Sequence, residues 1–344
     1  MAVAVDGKFV NKRVVIRVPD KWNGSLVIGA HGGSGGHAVN RAGQVYATSE
    51  TALDDVIGDY AFERGFAYAS ADRDGIGGTR NGYALTAQFV NVARDEVTRI
   101  GKATPLRTYI VGLSAGGAIA RMFAEATPAP FDCAQGSPEP CRGTHFDGAL
   151  LIAAGGGDVV TRLDRDTRIA ALWPLIDPRA HFGLQDTDPK IVSFAYAIGT
   201  PVAARRLWPY TGTSATAAAS RPAGSVENST ARPSIPVIEV AGTWDDIVIK
   251  EVRAYRERVE PRERHRLYQV EGVWHMSGDD DGVAGFQYAA ESRLKLDKDV
   301  ADAMGEGPSY IPEVREAFDY LVRWVEKGTP PPTSQTITPG GKLR

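Results

Sequence analysis

The run Tyr109-Ile110-Val111-Gly112-Leu113-Ser114-Ala115-Gly116-Gly117-Ala118-Ile119-Ala120 sets a serine at the centre of Gly-x-Ser-x-Gly. A β-branched stretch precedes it and a helix-forming stretch follows. A serine hydroxyl attacks a carbonyl only when a base takes its proton. It must also stand clear of its own backbone, which a sharp strand-to-helix turn achieves. Such a turn tolerates no side chain two residues either side, and Gly112 and Gly116 meet that demand. The N-terminus of the following helix adds positive partial charge beside the hydroxyl. Ser114 is therefore the candidate nucleophile, and the N–H of Ala115 a candidate donor to the oxyanion.

A base and an orienting acid must come from elsewhere. Of the six histidines, His37 is too near a glycine-rich loop, and His145, His181 and His265 lie in polar or long connecting stretches. His275 is placed differently. It follows the strand-like run 267–270, inside Glu271-Gly272-Val273-Trp274-His275-Met276-Ser277-Gly278, where a loop can present a general base. The acid would fix the imidazole tautomer while staying charged. Asp245 follows the strand-like run 237–241 with the spacing Gly-x-x-Asp-x-x-Val; Asp246 is its immediate rival and Asp158 a weaker third.

A second glycine cluster, Ile28-Gly29-Ala30-His31-Gly32-Gly33-Ser34-Gly35-Gly36, also follows a strand-like run. It has neither the Gly-Lys-Ser/Thr ending of a phosphate loop nor the spacing of a dinucleotide fingerprint. Its backbone suits an oxyanion hole, with the second donor from Gly33 or Ser34. His31 then anchors the loop. Trp274 and Met276 flank the base, Trp244 precedes the acid, and Tyr83 lies in a stretch able to reach the same mouth; these four are the expected substrate-binding residues. Phe286 and Tyr288 are weaker candidates. Asp279-Asp280-Asp281-Gly282 lacks the alternating ligands and terminal glutamate of a calcium loop and reads as a solvated acidic turn. No metal site is expected.

The elements that must position these residues follow from periodicity. Strand-like runs at 13–18, 25–30, 67–71, 108–112, 148–153, 236–240 and 267–270 alternate with helix-like stretches at 53–64, 86–100, 115–126 and 314–325. In the last, Val314, Phe318, Leu321, Val322 and Val325 share one face. The alternation predicts a mostly parallel sheet covered on both sides, opened by an antiparallel pair. The segment 155–234 breaks the rhythm and reads as a cap over the site. The tail 328–344, with Pro330-Pro331-Pro332, is expected to be extended and weakly ordered.

Bulk properties narrow the function. The chain has 344 residues and a net charge of −3, which gives no polyanion-binding signature, so nucleic acid is not an expected partner. No apolar run reaches the ~18 residues of a membrane span. Residues 1–6 lack the basic start and apolar core of an export signal. Cys133 and Cys141 are the only cysteines, separated by a Gly/Ser/Pro-containing stretch that can turn the chain back. A disulfide between them is expected, which implies an oxidising compartment. The expected location is therefore secreted or periplasmic, as a trimmed mature form; the cytoplasm is the alternative.

The order Ser114, Asp245, His275, the His-Gly-Gly loop and the strand–elbow–helix frame together resemble the α/β-hydrolase superfamily over roughly residues 10–327. The resemblance implies an α/β-hydrolase fold: a mostly parallel eight-stranded sheet with helices on both faces and a helical cap insertion. The core would be 1–154 and 235–327, the cap 155–234, and the tail 328–344. It implies no metal or organic cofactor. Among branches the layout looks like secreted esterases and polymer-ester depolymerases, including polyhydroxyalkanoate, polyvinyl-alcohol-type and feruloyl/tannase-like hydrolases. The expected activity is serine-dependent hydrolysis of carboxylic esters, small or polymeric, bearing an apolar or aromatic group. A serine peptidase or amidase, and a β-diketone hydrolase, would use the same triad; a non-catalytic ligand-binding relative is the reading from another class. Oligomeric state is not legible.

Overall fold

Short apolar runs that are hydrophobic on both faces become the strands of one sheet. The computed structural model describes residues 3–5, 8–10, 14–32, 37–39, 45–47, 53–71, 78–126, 146–155, 229–245, 248–273, 275 and 308–344. The main strands are β1 (Val14–Arg17), β2 (Ser25–Ala30), β3 (Ala67–Ala71), β4 (Arg107–Leu113), β5 (Gly148–Ile152), β6 (Val237–Gly242), β7 (His265–Val270) and β8 (Gln335–Ile337). They lie in the order β8-β7-β6-β5-β4-β2-β3-β1. All neighbours are parallel except β1 and β3, which pair antiparallel from Val14 opposite Ala71 to Arg17 opposite Tyr68. The expected antiparallel opening is present, but the partner of β1 is β3 rather than the next strand in sequence. Two small hairpins, Val3–Val5 with Lys8–Val10 and His37–Val39 with Val45–Ala47, stand outside this sheet.

The strand side chains divide by period two between two cores. On one face Val27, Tyr68, Tyr109, Val111, Leu150, Ile152, Ile238 and Val240 pack with Leu53, Ile57 and the C-terminal helix. On the other, Leu26, Ile28, Ala67, Ala69, Ile110, Ala149, Leu151 and Val237 pack with Phe89, Val90, Ile119 and Phe123. The covering helices are α1 (Asp59–Glu63), continuous with a π-helical segment at Asp54–Gly58, then α2 (Gly78–Gly101), α3 (Ala115–Glu125), α4 (Ile249–Arg258) and α5 (Ile311–Lys327). On α5 the expected face is the buried one: Val314, Phe318 and Leu321 have no exposed surface, and Val322 and Val325 pack beside them. Each such fully buried large side chain stabilises the fold by ~1.5–3 kcal/mol.

The tail departs from expectation. It is extended, but Gln335–Ile337 pair with Tyr268–Val270 as the eighth strand. Ser334 Oγ accepts the Leu267 N–H at 2.9 Å, Gly340 N–H donates to Glu313 at 2.6 Å, and Leu343 is buried. The three prolines only delay the pairing, because Pro has no N–H to give a ladder. Residues 156–228 of the expected cap lie outside the described residues, as do Cys133 and Cys141.

Between β6, β7, α3 and α4 the core carries a polar group that the sequence reading passed over. Glu239 and His265 are completely buried, with His265 Nε2–H donating to Glu239 Oε2 at 3.1 Å. Arg121 is also buried, its guanidinium over the Tyr255 ring at 5.0 Å, and the Tyr255 ring meets the His265 ring edge-on at 5.3 Å. Burial pushes His265 below its ordinary value of 6.5, against the opposing pull of Glu239. A histidine depressed in the folded state costs stability wherever the unfolded chain takes up a proton that the folded one refuses. Its contribution is complete above ~6.5 and falls as pH drops below that value. The unfolding midpoint of the wild type should therefore drop more steeply from pH 7.5 to 5 than that of His265→Gln. Parallel pH curves for the two proteins would refute this assignment.

Candidate active site

The turn between β4 and α3 is held in a conformation that a non-glycine residue seldom adopts. Ser114 has φ 54° and ψ −116°, a strain of ~1–3 kcal/mol that surrounding structure must impose. The glycines explain how. A Cβ on Gly112 would run into the Gly116 carbonyl, and one on Gly116 into the carbonyls of Ala30 and His31. Strand β5 fixes the turn from its other side: Ser114 N–H donates to Ile152 O at 2.8 Å, and Gly155 N–H donates to Ser114 O at 3.1 Å. Arg121, seven residues along α3, donates in turn to the Gly155 carbonyl.

The raised hydroxyl meets the other two expected residues. Ser114 Oγ lies 3.0 Å from His275 Nε2, and His275 Nδ1 lies 2.8 Å from Asp245 Oδ2. A carboxylate can only accept, so Nδ1 carries the proton and Nε2 is left to accept the serine O–H. Asp245 has no exposed surface and His275 only 7%. The second carboxylate oxygen, Oδ1, accepts the Val248 N–H at 3.1 Å, and the Asp245 carbonyl accepts the Ile249 N–H at 2.9 Å. The acid thus sits as a helix N-cap does ahead of α4, with both oxygens occupied. Its approach to the base is again set by a glycine, since a Cβ on Gly242 would strike the Val273 carbonyl. The main chain closes the contact with Trp244 N–H donating to Val273 O at 3.1 Å.

A family model described as an alpha/beta hydrolase domain matches residues 59–342. The chain belongs to that family. No curated protein matches this alpha/beta hydrolase at the sequence level. Among solved structures, it is similar to sarin-phosphonylated esterase 2 of Thermogutta terrifontis at 18% identity and a TM-score of 0.49, covering 86% of this chain and 93% of that one. It is similar to the propionate-bound form of that esterase at 17% identity and 0.47, with 86% and 93% covered. It is also similar to a proline iminopeptidase of Mycobacterium smegmatis at 12% identity and 0.39, with 90% and 96% covered.

The remaining expected residues of this alpha/beta hydrolase divide into placed and unplaced. Ala115 is the first residue of α3, where an N–H has no intrahelical acceptor. Gly33 and Ser34 lie outside the described residues, but Gly32 does not: a Cβ there would come within 3.6 Å of the Ser114 Cβ, so the glycine loop starts beside the nucleophile. His31 is buried and donates through Nδ1 to the Gly32 carbonyl at 2.7 Å, the anchoring role expected of it. Trp244 is half exposed next to the buried acid. Tyr83, expected at the mouth, packs its ring on Phe123 with centroids 4.3 Å apart, in the aromatic layer under α2 and α3. Trp274, Met276, Asp246, Asp158, Phe286 and Tyr288 fall outside the described residues.

Sequence reasoning missed several residues that hold the site. Tyr310 donates its phenol O–H to the His275 carbonyl at 2.8 Å. Arg121 and Gly155 brace the elbow, and Gly242 sets the acid against the base. Only Gly242 carried a readable signal, as the first residue of the Gly-x-x-Asp spacing. If the close approach of α3 to β2 creates the elbow, Gly116→Ala must push the two apart. The variant is expected to lose at least ~3 kcal/mol of stability and to leave Ser114 unreactive towards a fluorophosphonate in whatever fraction folds. Wild-type labelling by a folded Gly116→Ala protein would show that the contact is not needed.

Proposed function

We propose that this chain is a serine hydrolase of carboxylic esters acting through an acyl-enzyme. The carrying observation is the continuous chain Ser114–His275–Asp245, at 3.0 and 2.8 Å, with the acid fully buried and the serine on a strained turn. His275 Nε2 takes the serine proton as Oγ attacks the ester carbonyl. Asp245 keeps Nδ1 protonated and stabilises the imidazolium that forms. Negative charge growing on the carbonyl oxygen is met by the Ala115 N–H at the start of α3, with Gly33 or Ser34 supplying the partner donor. The alcohol departs with the proton from His275, and water then repeats the sequence on the acyl-serine.

The substrate reading is an ester with an apolar or aromatic group, oligomeric or polymeric esters included. Its support is Trp244, an amphipathic ring half exposed beside the buried acid. Trp274 and Met276 complete the proposed substrate-binding set, and Tyr83 leaves it for the core beside Phe123. Export, to a secreted or periplasmic location, is proposed on the strength of the cysteine pair. Under non-reducing conditions the intact mass should be about 2 Da below that of the reduced chain, the loss of two thiol hydrogens on bridging Cys133 to Cys141. Two alkylatable thiols in freshly prepared protein would remove that support.

The activity itself has a direct test. Wild-type protein should hydrolyse p-nitrophenyl esters, with much weaker turnover of a matched anilide and of a β-diketone. Ser114→Ala should lose about 10⁶ in kcat, and Asp245→Asn about 10⁴ through the wrong imidazole tautomer. A preference for the anilide or the diketone would reassign the reaction to amide or carbon–carbon cleavage. Ester turnover that survives Ser114→Ala would end the serine mechanism.

A further inference from the structure

We propose that Tyr310 is a positioning residue for the general base, holding the main chain of His275 as Asp245 holds its ring. The inference rests on the triad reading above and adds a residue to it. His275 is gripped at two ends. At the imidazole, Asp245 Oδ2 and Ser114 Oγ lie 2.8 and 3.0 Å from the two nitrogens. At the backbone, the His275 carbonyl accepts the phenol O–H of Tyr310 at 2.8 Å in a buried contact across 35 residues of sequence.

The grip has value because its mount is rigid. Tyr310 is 3% exposed and precedes the first turn of α5, where its carbonyl accepts the Val314 N–H at 2.9 Å. Its ring belongs to the same core as Val314, Phe318 and Leu321. The adjoining Glu313 is tied to the tail by the Gly340 N–H at 2.6 Å. A phenol on such a post fixes the height of the loop at residue 275. On the other side of that loop, Val273 is held by the Trp244 N–H, one residue before the acid. An imidazole joined to its Cα by two rotatable bonds follows that Cα, and a shift of ~1 Å spoils the hydrogen bonds at both nitrogens. Tyr310 reaches the base at its main-chain carbonyl, so the role proposed for it is to set where His275 sits.

The matched control is Tyr268, whose phenol donates to the Pro332 carbonyl, also at 2.8 Å, away from the base. Tyr310→Phe and Tyr268→Phe each delete one phenol-to-carbonyl bond of equal length. Tyr310→Phe should lower kcat on a p-nitrophenyl ester about tenfold, with KM within twofold, and slow fluorophosphonate labelling of Ser114 by a similar factor. Tyr268→Phe should lower the unfolding midpoint while leaving kcat unchanged. Installing p-aminophenylalanine at 310, which fills the same volume and keeps a donor, should restore kcat, whereas p-fluorophenylalanine, which has none, should not; this pair decides the matter should Tyr310→Phe fail to fold. A Tyr310→Phe enzyme that loses only thermal stability, or equal rates for the two analogues, would overturn the proposal while Ser114→Ala stayed inactive. An active Ser114→Ala would instead overturn the triad reading, and this inference with it.

Discussion

The tightest constraint among the described residues is the contact between the start of α3 and the end of β2. Gly116 presses on the carbonyls of Ala30 and His31, and Gly112 presses on Gly116, with no space for a methyl group at either. That contact fixes how abruptly the chain must turn between strand and helix. The result is the positive φ of Ser114, which lifts the hydroxyl off the sheet. The same approach brings Gly32 alongside the nucleophile. One packing event therefore sets both the attacking oxygen and the loop proposed to receive the oxyanion. The strain at Ser114 is opposed by two bonds, from its N–H to Ile152 of β5 and to its carbonyl from Gly155, three residues past that strand. Arg121 reinforces them from behind, which gives a buried guanidinium a reason to be there.

Parallel pairing then does the work of assembly. Ser114 follows the last residue of β4, Asp245 comes three residues after β6, and His275 five after β7. Because β4, β5, β6 and β7 all run the same way, their C-terminal ends share one edge, and residues distant in sequence meet there. The acid is not left to loop geometry. Its Oδ1 accepts the Val248 N–H and its carbonyl the Ile249 N–H, so the start of the helix that buries Ile249, Val252 and Tyr255 also holds the carboxylate. The base depends more on distant parts of the chain, since β8 flanks β7 and α5 stands behind His275.

Much of this was legible because it has strong local signals. Seven of the eight strands are short apolar or alternating runs, and their positions follow from that patterning. The eighth was hidden by three prolines and by its length of three residues, too short for a periodic pattern. Helix α4 was hidden for another reason: its apolar residues Ile249, Val252 and Tyr255 are spread among Lys, Glu and Arg, so only a narrow stripe is buried. Helix α2 begins at Gly78, ahead of the expected 86–100, because glycine and asparagine weaken the propensity of its first turns. For the site, Ser114, Asp245 and His275 were readable from glycine spacing and position relative to strand ends. Tyr310, Arg121 and Gly155 were not, because each acts through a backbone carbonyl or N–H, and such contacts leave no mark on residue type. Tyr83 shows the opposite failure: an aromatic read as lying in a stretch able to reach the mouth sits on α2 and packs on Phe123 against the core.

Among the described residues two histidine–carboxylate pairs lie on or just past neighbouring strands, and comparing them shows what separates support from proposed chemistry. His265 with Glu239 and His275 with Asp245 are both buried pairs, at 3.1 and 2.8 Å. The first lies inside the sheet layer, where His265 is enclosed by Tyr255 and neither ring nitrogen faces a hydroxyl; burial there drives the imidazole towards its neutral form. The second stands past the strand ends, where one nitrogen is held by the acid and the other meets Ser114 Oγ. A carboxylate beside a histidine therefore assigns no role by itself. What marks the second pair as the proposed base is the residue on its far side, a hydroxyl that the glycine contact has forced off the sheet. Move that hydroxyl back into an ordinary helix start, and His275–Asp245 would be as inert as its buried neighbour.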